Sequence, residues 1–221
     1  MSIDRSLNVL FYPRSVAVIG ASNVPEKVGN AIMRSITLKF SGKVYAVNVK
    51  GGEIEVNGRK FKAYKSVLEI PGEVDVAIIA APAKFVPDVI DECGRKGVKG
   101  AVVISAGFKE AGNVELEEKL VKVARKWGIR LIGPNCLGVT NLENGFDCNF
   151  NPPERQARPG FGGIAFMSQS GAFGAAILDW AARHEVGMSK FISLGNMADL
   201  DESDFMSYLR DDSKTKVITA Y

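Results

Sequence analysis

Histidine and cysteine, the usual ligands of zinc, are scarce in this sequence. Its 221 residues include one histidine and three cysteines, Cys93, Cys136 and Cys148. The cysteines lie far apart, without CxxC spacing and without a histidine nearby, so the pattern predicts no zinc site or other metal site. Scattered cysteines in odd number are typical of reduced thiols, which predicts a cytoplasmic protein. Nothing near Cys136 would lower its pKa, so we interpret it as a small buried residue and not as a catalytic thiol.

Long apolar segments and a large excess of one charge are also lacking. No apolar run approaches the roughly 20 residues of a membrane-spanning helix. The first residues, MSIDRSLNVLFYPRS, lack the apolar region and cleavage site of a signal peptide. The 28 basic and 25 acidic residues are intermixed, with a net charge of +3 and without the basic stripe typical of nucleic-acid binding. We therefore expect neither a membrane nor a nucleic acid as partner, and any anionic partner should be small.

The stretch around which the chain is organised, residues 15–32, reads SVAVIGASNVPEKVGNAI. An apolar run leads into Gly20-Ala21-Ser22, and a polar loop then leads through Gly29 into a helical periodicity, which predicts a buried strand, a turn and a helix. The start of such a helix has unpaired N–H groups and a partial positive charge, so it suits a phosphate. The spacing differs from the G-x-G-x-x-G dinucleotide fingerprint, and on this stretch alone an ordinary strand-to-helix turn is an equal alternative.

The same unit of strand and helix recurs along the chain. Apolar strands are predicted at residues 43–49, 75–81, 100–105 and 128–132, and helices at residues 86–95 and 114–127. Such alternation predicts right-handed crossovers and a parallel sheet covered on both faces. Residues 53–63 alternate at period two around Asn57-Gly58, which predicts a small hairpin that projects between the second and third strands.

The pattern changes after Gly133. Residues 138–163 are rich in asparagine, proline and glycine without sustained periodicity, which predicts a linker or a long loop. Strands are then predicted at residues 163–168, 189–194 and 216–221, and helices at residues 171–183 and 202–210. We therefore predict one α/β domain over residues 1–150 and the start of a second over residues 151–221, which looks incomplete because no helix follows its last strand.

The residues that directly follow the predicted strands are small, polar or turn-forming. In open parallel sheets, ligands bind beyond the carboxyl ends of the strands. Here these positions are Gly20-Ala21-Ser22, Asn48-Val49-Lys50, Ala81-Pro82-Ala83, Ser105-Ala106-Gly107 and Gly133-Pro134-Asn135-Cys136. They include no carboxylate and no histidine, which argues against a hydrolase, a dehydrogenase or a metal site.

Lys50 is the most informative of these residues. An NAD site has an acidic residue after the second strand to bind the ribose hydroxyl, whereas a lysine there favours a phosphate on the ribose, as in NADP or coenzyme A (CoA). The alternative interpretation of Lys50 is a solvated surface charge beside the hairpin.

Several short strings in order resemble a known family over essentially the whole chain. They are FYPRSVAVIGAS at residues 11–22, AAP at 80–82, SAGF at 105–108, LIGPNCLG at 131–138, SQSGAFG at 168–174 and SLGN at 193–196. Together they resemble the CoA-binding part of ADP-forming acyl-CoA synthetases, the archaeal-type acetyl-CoA synthetases related to the alpha subunit of succinyl-CoA ligase. The resemblance implies a Rossmann-like, parallel-sheet CoA-binding domain, followed by a truncated flavodoxin-like α/β domain of the succinyl-CoA synthetase type.

The resemblance also implies which residues face CoA. Residues beside its phosphates would be Gly20, Ala21, Ser22, Val24, Lys27 and Gly29, and residues beside its adenosine would be Asn48, Val49 and Lys50. Ala81, Pro82 and Phe85 would line the path of adenine and pantetheine, with Ser105, Ala106, Gly107 and Asn135 nearer the thiol. Ser170 and Gly171 would begin a helix whose N-terminus faces a phosphorylated histidine, an anion at the positive end of a helix dipole.

The family reaction interconverts acyl-CoA, ADP and phosphate with acid, CoA and ATP through an acyl phosphate and a phosphohistidine. We expect that histidine to lie outside this sequence. The one histidine, His184, follows the predicted helix 171–183, whose negative C-terminal end opposes a phosphoryl group, so we interpret it as a helix-terminal or surface residue. The resemblance places ATP, ADP and Mg²⁺ on a partner ATP-grasp domain or beta subunit. It also implies the rest of the alpha chain as a partner and is compatible with a homo-oligomer.

Three functions remain open at this point. The favoured one is the CoA-binding part of an ADP-forming acetate–CoA ligase, and the chain by itself should then be inactive as a ligase, with no catalytic residue of its own. The second is a stand-alone CoA-binding regulatory module, and the third and weaker one is an NAD(P)-binding Rossmann oxidoreductase. The acyl group stays unnamed because one methylene changes binding by only about 1–3 kcal/mol.

Overall fold

The computed structural model describes residues 7–221, which form two sheets with helices packed against them. The first sheet contains β1 (Ser15–Ile19), β2 (Lys43–Val47), β3 (Gly52–Val56), β4 (Arg59–Tyr64), β5 (Val76–Ile79), β6 (Gly100–Val103) and β7 (Arg130–Ile132). The helices of this part are α1 (Asn8–Phe11), α2 (Val28–Lys39), α3 (Val86–Lys96) and α4 (Val114–Trp127). The predicted helix 114–127 is confirmed, and the predicted helix 86–95 is one residue longer.

The central strand of the first sheet is β1, and all five of its residues are buried. The strand order is β3-β4-β2-β1-β5-β6-β7, with β1 parallel to both β2 and β5. The chain therefore builds outward from β1 in one direction through β2 and in the other through β5. Such a reversal opens a crevice at the carboxyl ends of the two strands where it occurs, which here are β1 and β5.

The hairpin of β3 and β4 extends this sheet and does not project from it as predicted. Its turn is the predicted Asn57-Gly58, with positive φ at both residues, 51° and 69°. However, β4 pairs in parallel with β2, through Ala46 with Ala63 and Val47 with Tyr64. This pairing satisfies the backbone groups of β2 that would otherwise lie at an unpaired edge, and it buries Ile54 of β3 against the core.

The second sheet consists of β8 (Val139–Asn141), β9 (Phe146–Asp147), β10 (Phe161–Ser168), β11 (Met188–Ser193) and β12 (Val217–Ala220), in the order β12-β10-β11-β8-β9. Helices α5 (Gly171–Arg183) and α6 (Glu202–Arg210) have the predicted bounds. The expectation that residues 138–163 form only a linker or loop is wrong, since β8 pairs antiparallel with β11 and β9 with β8. These strands of three and two residues are too short to show a period in the sequence.

A single apolar cluster connects the two sheets. It includes Val16 and Ile78 of the first sheet together with Met167 and Ile192 of the second, and Phe11 of α1 lies in the same cluster. Phe11 also contacts α6, where the ring of Tyr208 stacks on it at 4.9 Å between centroids. Strand pairing and packing do not by themselves define domain limits, so the division into residues 1–150 and 151–221 stays a prediction.

A buried ion pair lies at the junction of these two parts. The side chain of Lys190, on β11, is 0% exposed, and its Nζ lies 2.5 Å from Oδ2 of Asp212 in the loop after α6. The same Nζ donates to the Tyr12 hydroxyl at 3.4 Å, and Tyr12 in turn donates to Glu143 at 2.6 Å. Burial opposes ionisation of Asp212, but the hydrogen bonds from Lys190 and Thr215 outweigh it and lower the pKa of that carboxyl.

Candidate functional site

A cleft of about 1200 Å³ opens at the carboxyl ends of β1 and β5. Its volume exceeds the roughly 300–1000 Å³ of typical small-molecule sites, which makes room for a long ligand. Fourteen of the residues predicted from the sequence line it: Gly20, Ser22, Lys27, Gly29, Asn48, Val49, Lys50, Ala81, Pro82, Phe85, Ser105, Ala106, Asn135 and Gly171. The crossover topology therefore brings residues from six separate segments to one surface.

Four other predicted residues do not line this cleft. Ala21 is fully buried, Val24 is exposed, and Gly107, which directly follows Ala106 in the chain, is half-buried. Ser170 lines a smaller neighbouring cavity of about 270 Å³, which shares Asn135 and Gln169 with the cleft.

The turn after β1 is held tightly by its own backbone. The N–H groups of Gly20 and Ala21 both donate to the carbonyl of Val47, at 2.9 and 3.1 Å, so they fix the loop and are not free for a ligand. Gly20 has φ +97°, and a Cβ at Gly29 would lie 1.9 Å from the Gly20 carbonyl oxygen. Only glycine at position 29 allows α2 to begin this close to the turn.

The N-terminus of α2 faces the cleft without a side-chain cap. Lys27 is the N-cap residue and makes no side-chain capping bond, while Val28 and Gly29 both line the cleft. The first N–H groups of a helix are unpaired and carry a partial positive charge, so an uncapped start beside a cleft suits a phosphate. Asn30 supports the arrangement from inside, because its Nδ2 donates to the Ser22 carbonyl at 2.9 Å.

Asn48 connects the ends of β1 and β2. Its Nδ2 donates to the carbonyl of Ala21 at 2.7 Å, and its Oδ1 accepts from the backbone N–H of Lys50 at 2.9 Å. This side chain therefore fixes the turn that carries Lys50 relative to the turn after β1. Lys50 is exposed at the rim of the cleft, where its ammonium group is available to an anion.

Several cleft residues were not predicted from the sequence. They are Lys65, Ser66, Asp88, Glu92, Phe150 and Gln169, among others. The sequence analysis considered only residues that directly follow strands, whereas Asp88 and Glu92 project from α3 and Phe150 comes from the segment after β9. The position of Asp88 in the sequence could have identified it, because Asp88 lies within the first turn of α3, and α3 directly follows a loop that lines the cleft.

Asn135 lies where the cleft meets the smaller cavity. Its backbone N–H donates to the Ser105 carbonyl at 3.0 Å, and it has a left-handed conformation with φ 58°. The Ser105 hydroxyl donates to the Ala81 carbonyl at 2.6 Å. The ends of β5, β6 and β7 are thereby connected to one another at this side of the cleft.

Neither Cys136 nor His184 has the surroundings of a catalytic group. Cys136 is 4% exposed, and burial raises the pKa of its thiol to about 12. His184 ends α5 as an exposed C-cap residue, with its ring stacked on Trp180 at 4.6 Å, so its interpretation as a helix-terminal surface residue is confirmed. Within the described residues, 7–221, no three potential metal ligands come together, and no helix has the length and apolar character that crossing a membrane requires.

This geometry fits a long ligand with phosphates at one end and an uncharged chain at the other. Residues 14–141, more than half of the chain, match the family described as "CoA binding domain". The chain belongs to this CoA-binding family. Residues 161–221 match a second family, described as "Succinyl-CoA ligase like flavodoxin domain". The fold class and the resemblance predicted from the sequence are thus confirmed.

Known relatives of this CoA-binding chain are longer than it is. It is 50% identical over 98% of its length to the alpha subunit of ADP-forming acetate–CoA ligase I of Pyrococcus furiosus, of which it covers 46%. It is 55% identical over 96% of its length to ADP-forming acetate–CoA ligase I of Archaeoglobus fulgidus, of which it covers 30%. The chain therefore spans 30% to 46% of the length of these curated relatives.

A solved structure of similar fold comes from Ca. Korarchaeum cryptofilum. It is the dinucleotide-forming acetyl-coenzyme A synthetase 1 in complex with phosphate and ADP, with a TM-score of 0.89 and 42% identity. The superposition covers 97% of this chain and 45% of that one.

Proposed function

We propose that this chain is the CoA-binding part of an ADP-forming acetate–CoA ligase. The observation that carries the proposal is that the uncapped N-terminus of α2 and Lys50 lie at one cleft. The chain that holds this cleft has 50% sequence identity to the alpha subunit of an ADP-forming acetate–CoA ligase. Two positive features near the loop after β1, and the small or apolar residues Ala81, Pro82 and Ala106 beyond it, match a ligand of phosphates and pantetheine.

Each end of the cleft has its own task in this proposal. Gly29 and Val28 give α2 backbone N–H groups to the diphosphate, and Lys27 and Lys50 supply positive charge beside the phosphates. Ala81, Pro82 and Phe85 line the path of the uncharged part of the ligand. Ser105, Ala106 and Asn135 lie nearer the thiol. The chemistry that CoA supplies is this thiol, which accepts the acyl group as a thioester.

The remaining parts of the reaction belong to other polypeptide segments in this proposal. ATP, ADP and Mg²⁺ bind to an ATP-grasp domain or subunit, and the phosphorylated histidine comes from a further segment of an alpha chain. The smaller cavity at Ser170 and the start of α5 would receive the phosphorylated group. We place the assembly in the cytoplasm, where its thiols stay reduced.

Ligand identity tests the proposal directly. By isothermal titration calorimetry of the purified chain, we expect CoA and acetyl-CoA to bind at least tenfold more tightly than NAD. The reason is that no acidic residue follows β2 to bind an adenosine ribose, and Lys50 is there instead. Equal or tighter binding of NAD would contradict the proposal and favour an oxidoreductase.

Replacing Lys50 by glutamate tests where the ribose 3′-phosphate binds. We expect Lys50→Glu to lower the affinity for CoA several-fold and to leave the affinity for dephospho-CoA nearly unchanged, because only CoA has that phosphate. The effect is modest because an exposed ion pair contributes about 1 kcal/mol or less. Lys43→Glu makes the same charge change at the opposite end of β2, outside the cleft, and should leave both affinities unchanged. If Lys50→Glu weakens the binding of both ligands equally, the 3′-phosphate does not bind at Lys50.

A further inference from the structure

Three side chains from two distant parts of the chain meet beside the smaller cavity, which Asn196 lines. Asn196, in the loop after β11, directs its Nδ2 at two carboxylates of the first part of the chain. It donates to Oε2 of Glu110 at 2.5 Å and to Oε2 of Glu117 at 2.7 Å. Since an amide nitrogen has two hydrogens, these two bonds use its full donor capacity.

Glu110 connects Asn196 to the loop after β6. Its other oxygen, Oε1, accepts from the backbone N–H groups of Gly107 and Phe108, at 2.6 and 3.2 Å. Burial disfavours its charge, but the hydrogen bonds from Asn196 and from these N–H groups outweigh burial and lower the pKa of Glu110. The carboxylate therefore stays ionised and fixes the loop that carries Ser105 and Ala106 into the cleft.

Asn196 also makes contact with Asn135 at the junction of the two cavities. Its Oδ1 accepts from Nδ2 of Asn135 at 3.3 Å. With the Asn196 nitrogen engaged by two carboxylates, its oxygen is the only amide atom that can face Asn135, so the orientation of both amides is determined. Within residues 7–221, no hydrogen bond reaches Oδ1 of Asn135, which leaves that oxygen as an acceptor for a ligand N–H.

The backbone around Asn196 is fixed as well. Its N–H donates to the Pro134 carbonyl at 2.8 Å, and the N–H of Ala198 donates to the Gly133 carbonyl at 3.1 Å. Gly195 has φ +61°, and a Cβ there would lie 2.2 Å from the Pro134 carbonyl oxygen. The loop after β11 thus lies directly against the segment after β7, and Asn196 has little freedom to move.

We propose that Asn196 is a positioning residue for the thiol end of the cleft. It acts through Glu110 on the loop that carries Ser105 and Ala106, and through Asn135 on the junction with the smaller cavity. The inference rests on the proposed binding of CoA and deepens it, because it assigns control of the thiol end to a residue of the succinyl-CoA ligase-like part. The group recognised there is an uncharged amide-containing chain that ends in a thiol.

The test compares CoA with adenosine 3′,5′-bisphosphate, which has the nucleotide end but lacks the pantetheine chain. In calorimetry of the full chain, Asn196→Ala should lower the affinity for CoA at least fivefold and change the affinity for the bisphosphate less than twofold. A role in overall folding alone would weaken both ligands alike. Asn8→Ala removes an asparagine that also bonds across the structure, to Tyr208, but far from the cleft, and should change neither affinity.

A reciprocal pair of variants gives a second test. Asn196→Asp places a third carboxylate beside Glu110 and Glu117 and should weaken CoA at least as much as Asn196→Ala does. Adding Glu110→Gln supplies an amide donor to the new carboxylate, while the amide oxygen still accepts from Gly107, so the double variant should recover part of the lost affinity for CoA. If Asn196→Ala fails to fold, the comparison of Asn196→Asp with the double variant still tests the role of Asn196.

The outcomes separate the two proposals. If the unaltered chain binds neither CoA nor the bisphosphate, the proposed function is wrong. If it binds CoA, but Asn196→Ala leaves CoA unchanged or weakens both ligands equally, or the double variant recovers nothing, the assignment of Asn196 is wrong.

Discussion

Replacing Asp212 by alanine is expected to lower the free energy of unfolding by about 3–5 kcal/mol. The change leaves the ammonium group of Lys190 without its carboxylate in a place where that side chain is 0% exposed. A buried charge without a partner is among the few causes of losses this large from one substitution. Urea denaturation of both proteins, followed by circular dichroism, measures the difference.

An exposed ion pair in the same region provides the matched control. Lys214 lies 3.1 Å from Glu143, but its side chain is 47% exposed, so Lys214→Met should cost less than about 1 kcal/mol. The double variant Lys190→Met with Asp212→Leu removes both buried charges and should recover most of the loss. An effect of Asp212→Ala no larger than that of Lys214→Met would contradict a strong buried pair.

The contribution of Asp212 has a defined dependence on pH. Its pKa is lowered in the folded protein, since the bonds from Lys190 and Thr215 outweigh burial. A carboxyl with a lowered pKa stabilises the folded state at pH values above its ordinary range, and this contribution is lost as the pH falls through the folded-state pKa. The difference in stability between the unaltered protein and Asp212→Ala should therefore shrink in acid and stay constant near neutral pH.

Replacing Gly29 by alanine is expected to reduce both CoA affinity and stability. The new Cβ would lie 1.9 Å from the Gly20 carbonyl oxygen and 2.6 Å from its carbon, both backbone atoms, so α2 must move away from the turn. Overpacking of this kind costs about 1–3 kcal/mol of stability. Because the displaced N–H groups are those assigned to the diphosphate, CoA affinity measured by calorimetry should fall at least tenfold.

Gly160→Ala is the control for this substitution. A Cβ at Gly160 meets no atom within 4 Å, so alanine there should leave CoA affinity unchanged and stability within about 0.5 kcal/mol. If Gly29→Ala binds CoA as tightly as the unaltered chain does, the start of α2 is not the diphosphate site.

Local sequence patterns were sufficient for most of the fold. The period of α4, with Leu120 and Ala124 buried on one side, and the fully buried β1 are features that a short window contains. The strands β8 and β9 were missed because β8 is defined by its pairing with β11, far along the chain, and β9 by its pairing with β8, and not by their own few residues. The hairpin was identified from its turn, but its place on the sheet edge was not, since no local pattern encodes the pairing of β4 with β2.

The candidate site was predictable only in part for the same reason. Residues directly after strands, such as Gly20, Asn48 and Ala81, could be assigned to one edge as soon as the sheet was taken to be parallel. Glu92 on α3 and Asn196 after β11 depend on how helices and the second sheet pack against that edge. Their positions follow from tertiary packing, which spacing in the sequence does not contain.

The burial of Cys136 has a chemical consequence for the proposed binding of acyl-CoA in the cleft. A thiolate beside an acyl-CoA would attack the thioester carbonyl, take the acyl group onto the protein as a new thioester and release CoA as its thiolate. Cys136 is 4% exposed, its Sγ–H donates to the Val103 carbonyl at 3.4 Å, and its pKa is raised to about 12. The thiol is therefore protonated near neutral pH, and a cysteine that borders the cleft does not compete with CoA for the acyl group.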